Sequence, residues 1–164
     1  MTRKRSSSDL ANSQDAKEAW FVTEIRVRYA ETDQMGVAYY ANYLVWFEVG
    51  RVEYCRHRGL RYRDFERSFG SYLAVAESYC RYHAPASYDD LLLIQTRLES
   101  LRRRMMTFQY EIRKQEDGLL IAEGRTVHVL LDKSGRPKSF PPEFSLRFQP
   151  LQSSQPGWPE SAAT

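Results

Sequence analysis

Residues 41–59 read ANYLVWFEVGRVEYCRHRG, and the reading of this stretch decides the fold. Over three turns its apolar side chains fall on almost every side of a 3.6-residue period. That pattern predicts a helix buried within the molecule rather than one lying on its surface. Arg56, His57 and Arg58 are cations suited to a helix C-terminus, and Gly59 is a common stop signal. A helix without a polar face has to be wrapped by other elements.

The flanking sequence supplies strands. Upstream, Trp20 to Tyr29 alternates Phe21, Thr23, Ile25, Val27 and Tyr29 with Val22, Glu24, Arg26 and Arg28, which predicts a half-buried strand. Downstream, four more runs have strand character: Tyr72–His83, Leu91–Leu101, Met105–Lys114 and Leu119–Asp132. Met106, Phe108, Tyr110 and Ile112 alternate with Thr107, Gln109, Glu111 and Arg113, one face dry and one wet. Ala122, Gly124 and Thr126 line one face with small residues, which lets a helix approach closely. Asp117-Gly118 marks a hairpin between the last two strands. The predicted order β-α-β-β-β-β is an α+β fold, with antiparallel sheet around one helix.

A chain of 164 residues is one domain by size. With 42% apolar and 27% charged residues it is not a disordered chain, and no apolar run reaches the ~20 residues of a membrane helix. Residues 1–19 are polar and Ser-rich without an apolar stretch, so they read as a disordered leader rather than a secretory signal. Six of the seven prolines lie between Pro137 and Pro159, so 149–164 reads as a flexible tail and 20–148 as the folded unit. A net charge of +3 is too mild to point to nucleic acid. Cys55 and Cys80 match neither a zinc site nor a disulfide framework. No metal or cofactor is expected, and two reduced, buried thiols suit a cytoplasmic protein.

For chemistry, a G-x-S-x-G elbow is absent, and His57, His83 and His128 are scattered and read as structural. Asp33 lies in the turn between the first strand and the helix, beside Thr32 and shortly before Gly36. Tyr40 is near the predicted helix start, where first-turn amides lack internal partners and sit at the positive end of the dipole. Such amides can stabilise charge on a carbonyl oxygen, while a nearby carboxylate attacks the carbon or activates a water toward it. An Asx-turn is the structural alternative for Asp33. Arg102, Arg103 and Arg104 form either a solvated turn or a phosphate-gripping cluster.

These residues bring the sequence close to a known family. The runs VRYAETDQMGVAYYANYLVWFEVGRVEYCRHRGL and YHAPASYDDLLLIQTRLESLRRRMMTFQYEI resemble the 4-hydroxybenzoyl-CoA thioesterase family of hot-dog folds. The D-x-x-G-x-x-x-x-x-N-Y and A-x-Y-D-D signatures occur in order. The resemblance implies a five-stranded antiparallel sheet wrapped around one long helix, paired into a homodimer or homotetramer. It implies hydrolysis of a short-chain or aromatic acyl-CoA, or of a carrier-protein thioester, with no membrane span. Asp33 takes the place of the catalytic carboxylate, and Tyr40 that of the residue whose amide polarises the thioester carbonyl. Many bacterial relatives place His where Tyr40 stands, whereas the aromatic-acyl branch carries Tyr. Gly36, Val37, Asn42, Tyr43 and Glu48 fall at substrate-binding positions, and Arg102, Arg103 and Arg104 near the CoA phosphates. Glu48 also has a structural reading, a buried or interfacial carboxylate paired with an Arg such as Arg51. Tyr39, Tyr43, Trp46 and Tyr72 are either pocket aromatics or core. A non-catalytic acyl-thioester binder is the alternative function.

Overall fold

A computed structural model describes residues 20–148 of the chain. The expected leader, 1–19, and tail, 149–164, lie outside the described residues. Five strands, β1 (Phe21–Arg26), β2 (Ser71–Tyr82), β3 (Leu91–Leu101), β4 (Met105–Lys114) and β5 (Leu120–Asp132), form one antiparallel sheet in the order β1-β3-β4-β5-β2. The helix α1 (Asn42–His57) lies across its inner face. The fold is the expected one, and β3 and β4 have the predicted ends.

The alternation in β4 explains how sheet and helix join. Met106, Phe108, Tyr110 and Ile112 are fully buried, and Phe47 of α1 stacks on Tyr110 with ring centroids 4.4 Å apart. Gly124, opposite Tyr110 on β5, leaves the space that the Phe47 ring fills. Gly50 does the same on α1, where a Cβ would lie 2.8 Å from Ile94 Cγ2. A straight ladder would not curve around a helix, and three register shifts bend this one, between Val75 and Glu77, between Leu98 and Ser100 and between Ile112 and Arg113.

Three features differ from the sequence reading. A short helix, α2 (Tyr62–Phe69), precedes β2 and ends on Gly70 in the left-handed region. A second, α3 (Pro142–Arg147), follows β5 and buries Phe144, with Pro142 in the first turn, where its missing N–H costs nothing. Helix α1 is also not buried all round: Leu44, Val45 and Val49 are exposed, on the side its own sheet does not cover. Of the two thiols Cys55 is buried and Cys80 half-buried, and both are free.

Candidate active site

Between β1 and α1 the chain makes a tight hairpin. Thr32 bridges Ala38, the Asp33 amide donates to the Val37 carbonyl at 2.9 Å, and the Gly36 amide donates to the Asp33 carbonyl at 2.9 Å. Gly36 has φ +78°, a conformation that favours glycine at this turn. The Asp33 carboxylate accepts the Met35 N–H at 2.8 Å through Oδ1, so the Asx-turn is present. It occupies one oxygen and pins the side chain, and among the described residues Oδ2 carries no bond. Val37 bridges Ser87, and the Ala38 amide donates to the Ala86 carbonyl at 2.7 Å, which ties the hairpin to the segment before β3.

The segment from this hairpin into α1 is held by a residue the sequence reading did not single out. Glu31 is 6% exposed, and its carboxylate accepts the Arg28 amide at 2.8 Å, the Arg28 guanidinium at 2.9 Å and Trp46 Nε1 at 3.2 Å. Burial pushes its pKa up, but the bonds from Arg28 and Trp46 outweigh that and hold it below the usual carboxylate range. Its carbonyl accepts the Tyr39 amide and Asn42 Nδ2, each at 2.8 Å. Nothing in the local sequence separates this Glu from a solvated loop acid, because its partners come from both sides of the turn.

With the Asn42 side chain drawn away to Glu31, the helix N-terminus has no side-chain cap, and Ala41 stands at that position. A missing cap costs about 1 kcal/mol, so an uncapped terminus leaves donors free for another acceptor. Among the described residues the Tyr40 and Ala41 amides donate to no carbonyl. Tyr82 Oη donates to the Tyr40 carbonyl at 3.0 Å. Because a trans peptide sets N–H and C=O in opposite directions, this bond also fixes where the Ala41 N–H points. Burial first, with Cys80 and the neighbouring tyrosines adding, pushes the Tyr82 phenol up to about 12, so it stays a donor.

The other expected residues are placed as follows. Tyr43 is buried, packed on Trp46 and edge-on to Tyr82 at 4.9 Å, and Trp46 is core. Tyr39, Tyr40 and Tyr72 are exposed, and Val37 is half-buried. Glu48 is exposed and does not pair with Arg51; Arg51 Nε instead donates to Tyr62 Oη at 3.1 Å. This corrects the ion-pair alternative, and its cause is α2, which brings Tyr62 under the helix. Arg102–Arg104 form an exposed turn, with Arg103 Nε on Ser139 Oγ at 3.0 Å. The turn sits at the end of β3 away from the hairpin, ten strand steps or roughly 30 Å from it. The structure therefore sets Asp33 on the hairpin that leads into α1, and does not bring the arginine turn to that hairpin within one chain. The histidines are structural: His57 stacks on Phe21, His83 faces Glu123 at 3.5 Å, and His128 is core.

Comparison with known proteins agrees with this architecture. The model of the thioesterase-like superfamily matches residues 27–148. The acyl-CoA thioester hydrolase YbgC of Escherichia coli is 31% identical over 126 residues, covering 76% of this chain and 92% of that protein. The crystal structure of a DHNA-CoA thioesterase from Staphylococcus aureus superposes with a TM-score of 0.75 at 32% identity, over 79% of this chain and 88% of the other. A 4-hydroxybenzoyl-CoA thioesterase superposes with a TM-score of 0.74 over 80% of this chain and 99% of the other, and at 19% identity that is a likeness of fold.

Proposed function

The chain belongs to the thioesterase-like superfamily, and from that premise we propose that it hydrolyses the thioester of a short-chain or aromatic acyl-CoA at the Asp33 hairpin. The observation that carries the reading is the pinned carboxylate, one oxygen tied to Met35 and the other without a bond among the described residues, on the hairpin that leads into an uncapped helix start. A thioester carbonyl with its oxygen on the Tyr40 and Ala41 amides meets donors that need no rearrangement as negative charge grows. Asp33 then serves in one of two balanced ways. Its oxygen bonds to the carbonyl carbon and CoA thiolate leaves, giving an anhydride that water cleaves. In the other, it takes a proton from the water that attacks. A thiolate leaves readily without a strong general acid, so the proposal calls for no histidine and no cofactor.

A second copy of the chain completes the site in this reading. β2 is a sheet edge with exposed Tyr72, Val75, Tyr79 and Tyr82, next to exposed Leu44, Val45 and Val49 on α1. So much apolar surface beside an unpaired strand suits an interface. Antiparallel pairing of two β2 edges would bring the Ser71 end of one copy beside the Tyr82 end of the other. The first end is next to the Arg102–Arg104 turn and the second next to the helix start, so one subunit's guanidiniums would reach CoA phosphates at the other's carbonyl site. The unit is then a homodimer, or a homotetramer formed from two. The free thiols suit a cytoplasmic location.

The test is thiol release from short, long and aromatic acyl-CoAs, with carrier-protein thioesters alongside. Release from at least one class is expected. No release above background from any would leave a binder in place of an enzyme. A single turnover in oxygen-18 water then separates the two routes, since label in the Asp33 carboxyl appears only through the anhydride.

A further inference from the structure

Between α1 and β2 lies a cavity of about 240 Å³, lined on one side by Leu44, Val45 and Val75 and on the other by Arg51, Ser78 and Thr126. Arg51 is 8% exposed. A buried guanidinium ordinarily has a carboxylate partner, because an isolated charge is very costly to desolvate. Among the described residues this one has none. Its Nε donates to Tyr62 Oη, the Tyr62 ring lies 5.9 Å away, and the guanidinium is also against the Tyr110 phenol.

The surrounding groups solvate the charge without neutralising it. Tyr110 Oη and Thr126 Oγ1 are 2.7 Å apart, and Thr126 Oγ1 is 2.8 Å from His128 Nε2. His128 is fully buried with Nδ1 unpartnered. An orphaned lone pair costs less than an orphaned N–H, so we assign the proton to Nε2, donating to Thr126. Burial, with Arg51 adding, pushes the His128 pKa down to about 3, so the ring is neutral. The network thus consists of neutral dipoles around one unbalanced positive charge.

The cavity's position relates that charge to the reaction. Leu44 and Val45 are in the first turn of α1, next to the amides assigned to the thioester oxygen, and Arg51 is two turns further on the same stripe. Ten residues from Ala41 to Arg51 rise about 15 Å, and the guanidinium is held at its end of that span by Tyr62 and Tyr110. Hydrogen bonds of about 3 Å at each end leave roughly 9 Å between the terminal oxygens of a ligand, the span of a dicarboxylic acyl chain of about five carbons. We propose that Arg51 is a specificity residue that grips a carboxylate at the far end of the acyl group, so that the preferred substrates are ω-carboxyacyl thioesters of glutaryl size. This rests on the thioesterase reading and names its substrate class. Glu48 also lines the cavity but is exposed and free to turn to solvent, where it does not oppose an incoming anion.

The test compares glutaryl-CoA with pentanoyl-CoA, which has the same chain length without the acid, for the wild type, Arg51→Met and Arg51→Lys. The wild type is expected to favour glutaryl-CoA in kcat/KM by on the order of a hundredfold, since a site built to bond a polar group discriminates strongly against its absence. Arg51→Met should lose that preference, the kcat/KM ratio of the two substrates falling toward one, and Arg51→Lys should keep part of it. Equal or better wild-type hydrolysis of pentanoyl-CoA overturns the proposal whether or not the variants fold. So does a glutaryl preference that survives in Arg51→Met. Failure to cleave any acyl-CoA is the separate result that removes the thioesterase reading itself.

Discussion

Replacing Gly124 by Ala tests how the helix seats on the sheet. A Cβ at this position would overlap Phe47 Cε2 and Cζ and lie 2.8 Å from the Tyr79 carbonyl oxygen. The carbonyl is backbone of β2 and held in the ladder, and the ring is stacked on Tyr110. Neither can yield cheaply, so the cost belongs at the upper end of overpacking, about 3 kcal/mol. Removing a glycine from the unfolded ensemble returns about 0.5–1 kcal/mol, leaving a net loss near 2 kcal/mol. At roughly 2–4 °C per kcal/mol for a domain of this size, the melting midpoint should fall by about 4–8 °C. Thermal and urea unfolding followed by circular dichroism measure it. In the Phe47→Leu background the ring contact is relieved and only the contact with the Tyr79 carbonyl remains, so the same substitution should cost less than in the wild type. A midpoint for Gly124→Ala within about 1 °C of wild type, or an equal cost in both backgrounds, would refute the close-approach argument.

Further outcomes concern the frame around the site. Glu31→Gln should destabilise the chain by about 1–3 kcal/mol near neutral pH, because buried bonds to Arg28 and Trp46 are weakened. Since the folded-state pKa of Glu31 lies below its ordinary value, its contribution is fully present above that value. It is lost as pH falls through the folded pKa, so the gap between wild type and variant should close in urea unfolding as the pH is lowered below the ordinary carboxylate range. Tyr82→Phe removes the bond that orients the Tyr40–Ala41 peptide and should lower kcat by about threefold to tenfold with little change in KM. Val45→Glu puts a charge on the exposed apolar face of α1; light scattering should then report the mass of one chain, 19.3 kDa, where the wild type reports at least two.

Much of this was legible in the sequence because period-2 and period-3.6 patterns are local. β3 and β4 are bounded where their alternation stops, and the small face of Ala122, Gly124 and Thr126 marked the helix contact that Phe47 fills. The helix α2 left a trace in the spacing of Tyr62, Phe65 and Phe69 and in the Gly70 stop. Its charged residues masked that trace. The helix α3 was not read from the sequence, although Pro142 is compatible with a first helical turn. Asp33, Gly36 and the helix start were visible as neighbours along the chain. Glu31, Tyr82 and the Arg51–Tyr62 pair were not, because their bonds join residues from separate elements and depend on how those elements pack. The exposed side of α1 was misread for a related reason, since periodicity reports which side chains are apolar and not what covers them.

The central claim is that the Asp33 carboxylate acts on a carbonyl held by the start of α1. The most direct measurement is the single-turnover rate of thioester cleavage for Asp33→Asn beside Glu48→Gln, with unchanged melting midpoints as the control for folding. Asp33→Asn should slow the chemical step by at least about a hundredfold, and Glu48→Gln should leave it nearly intact. Full activity in Asp33→Asn together with loss in Glu48→Gln would move the chemistry to the helix glutamate and contradict the account.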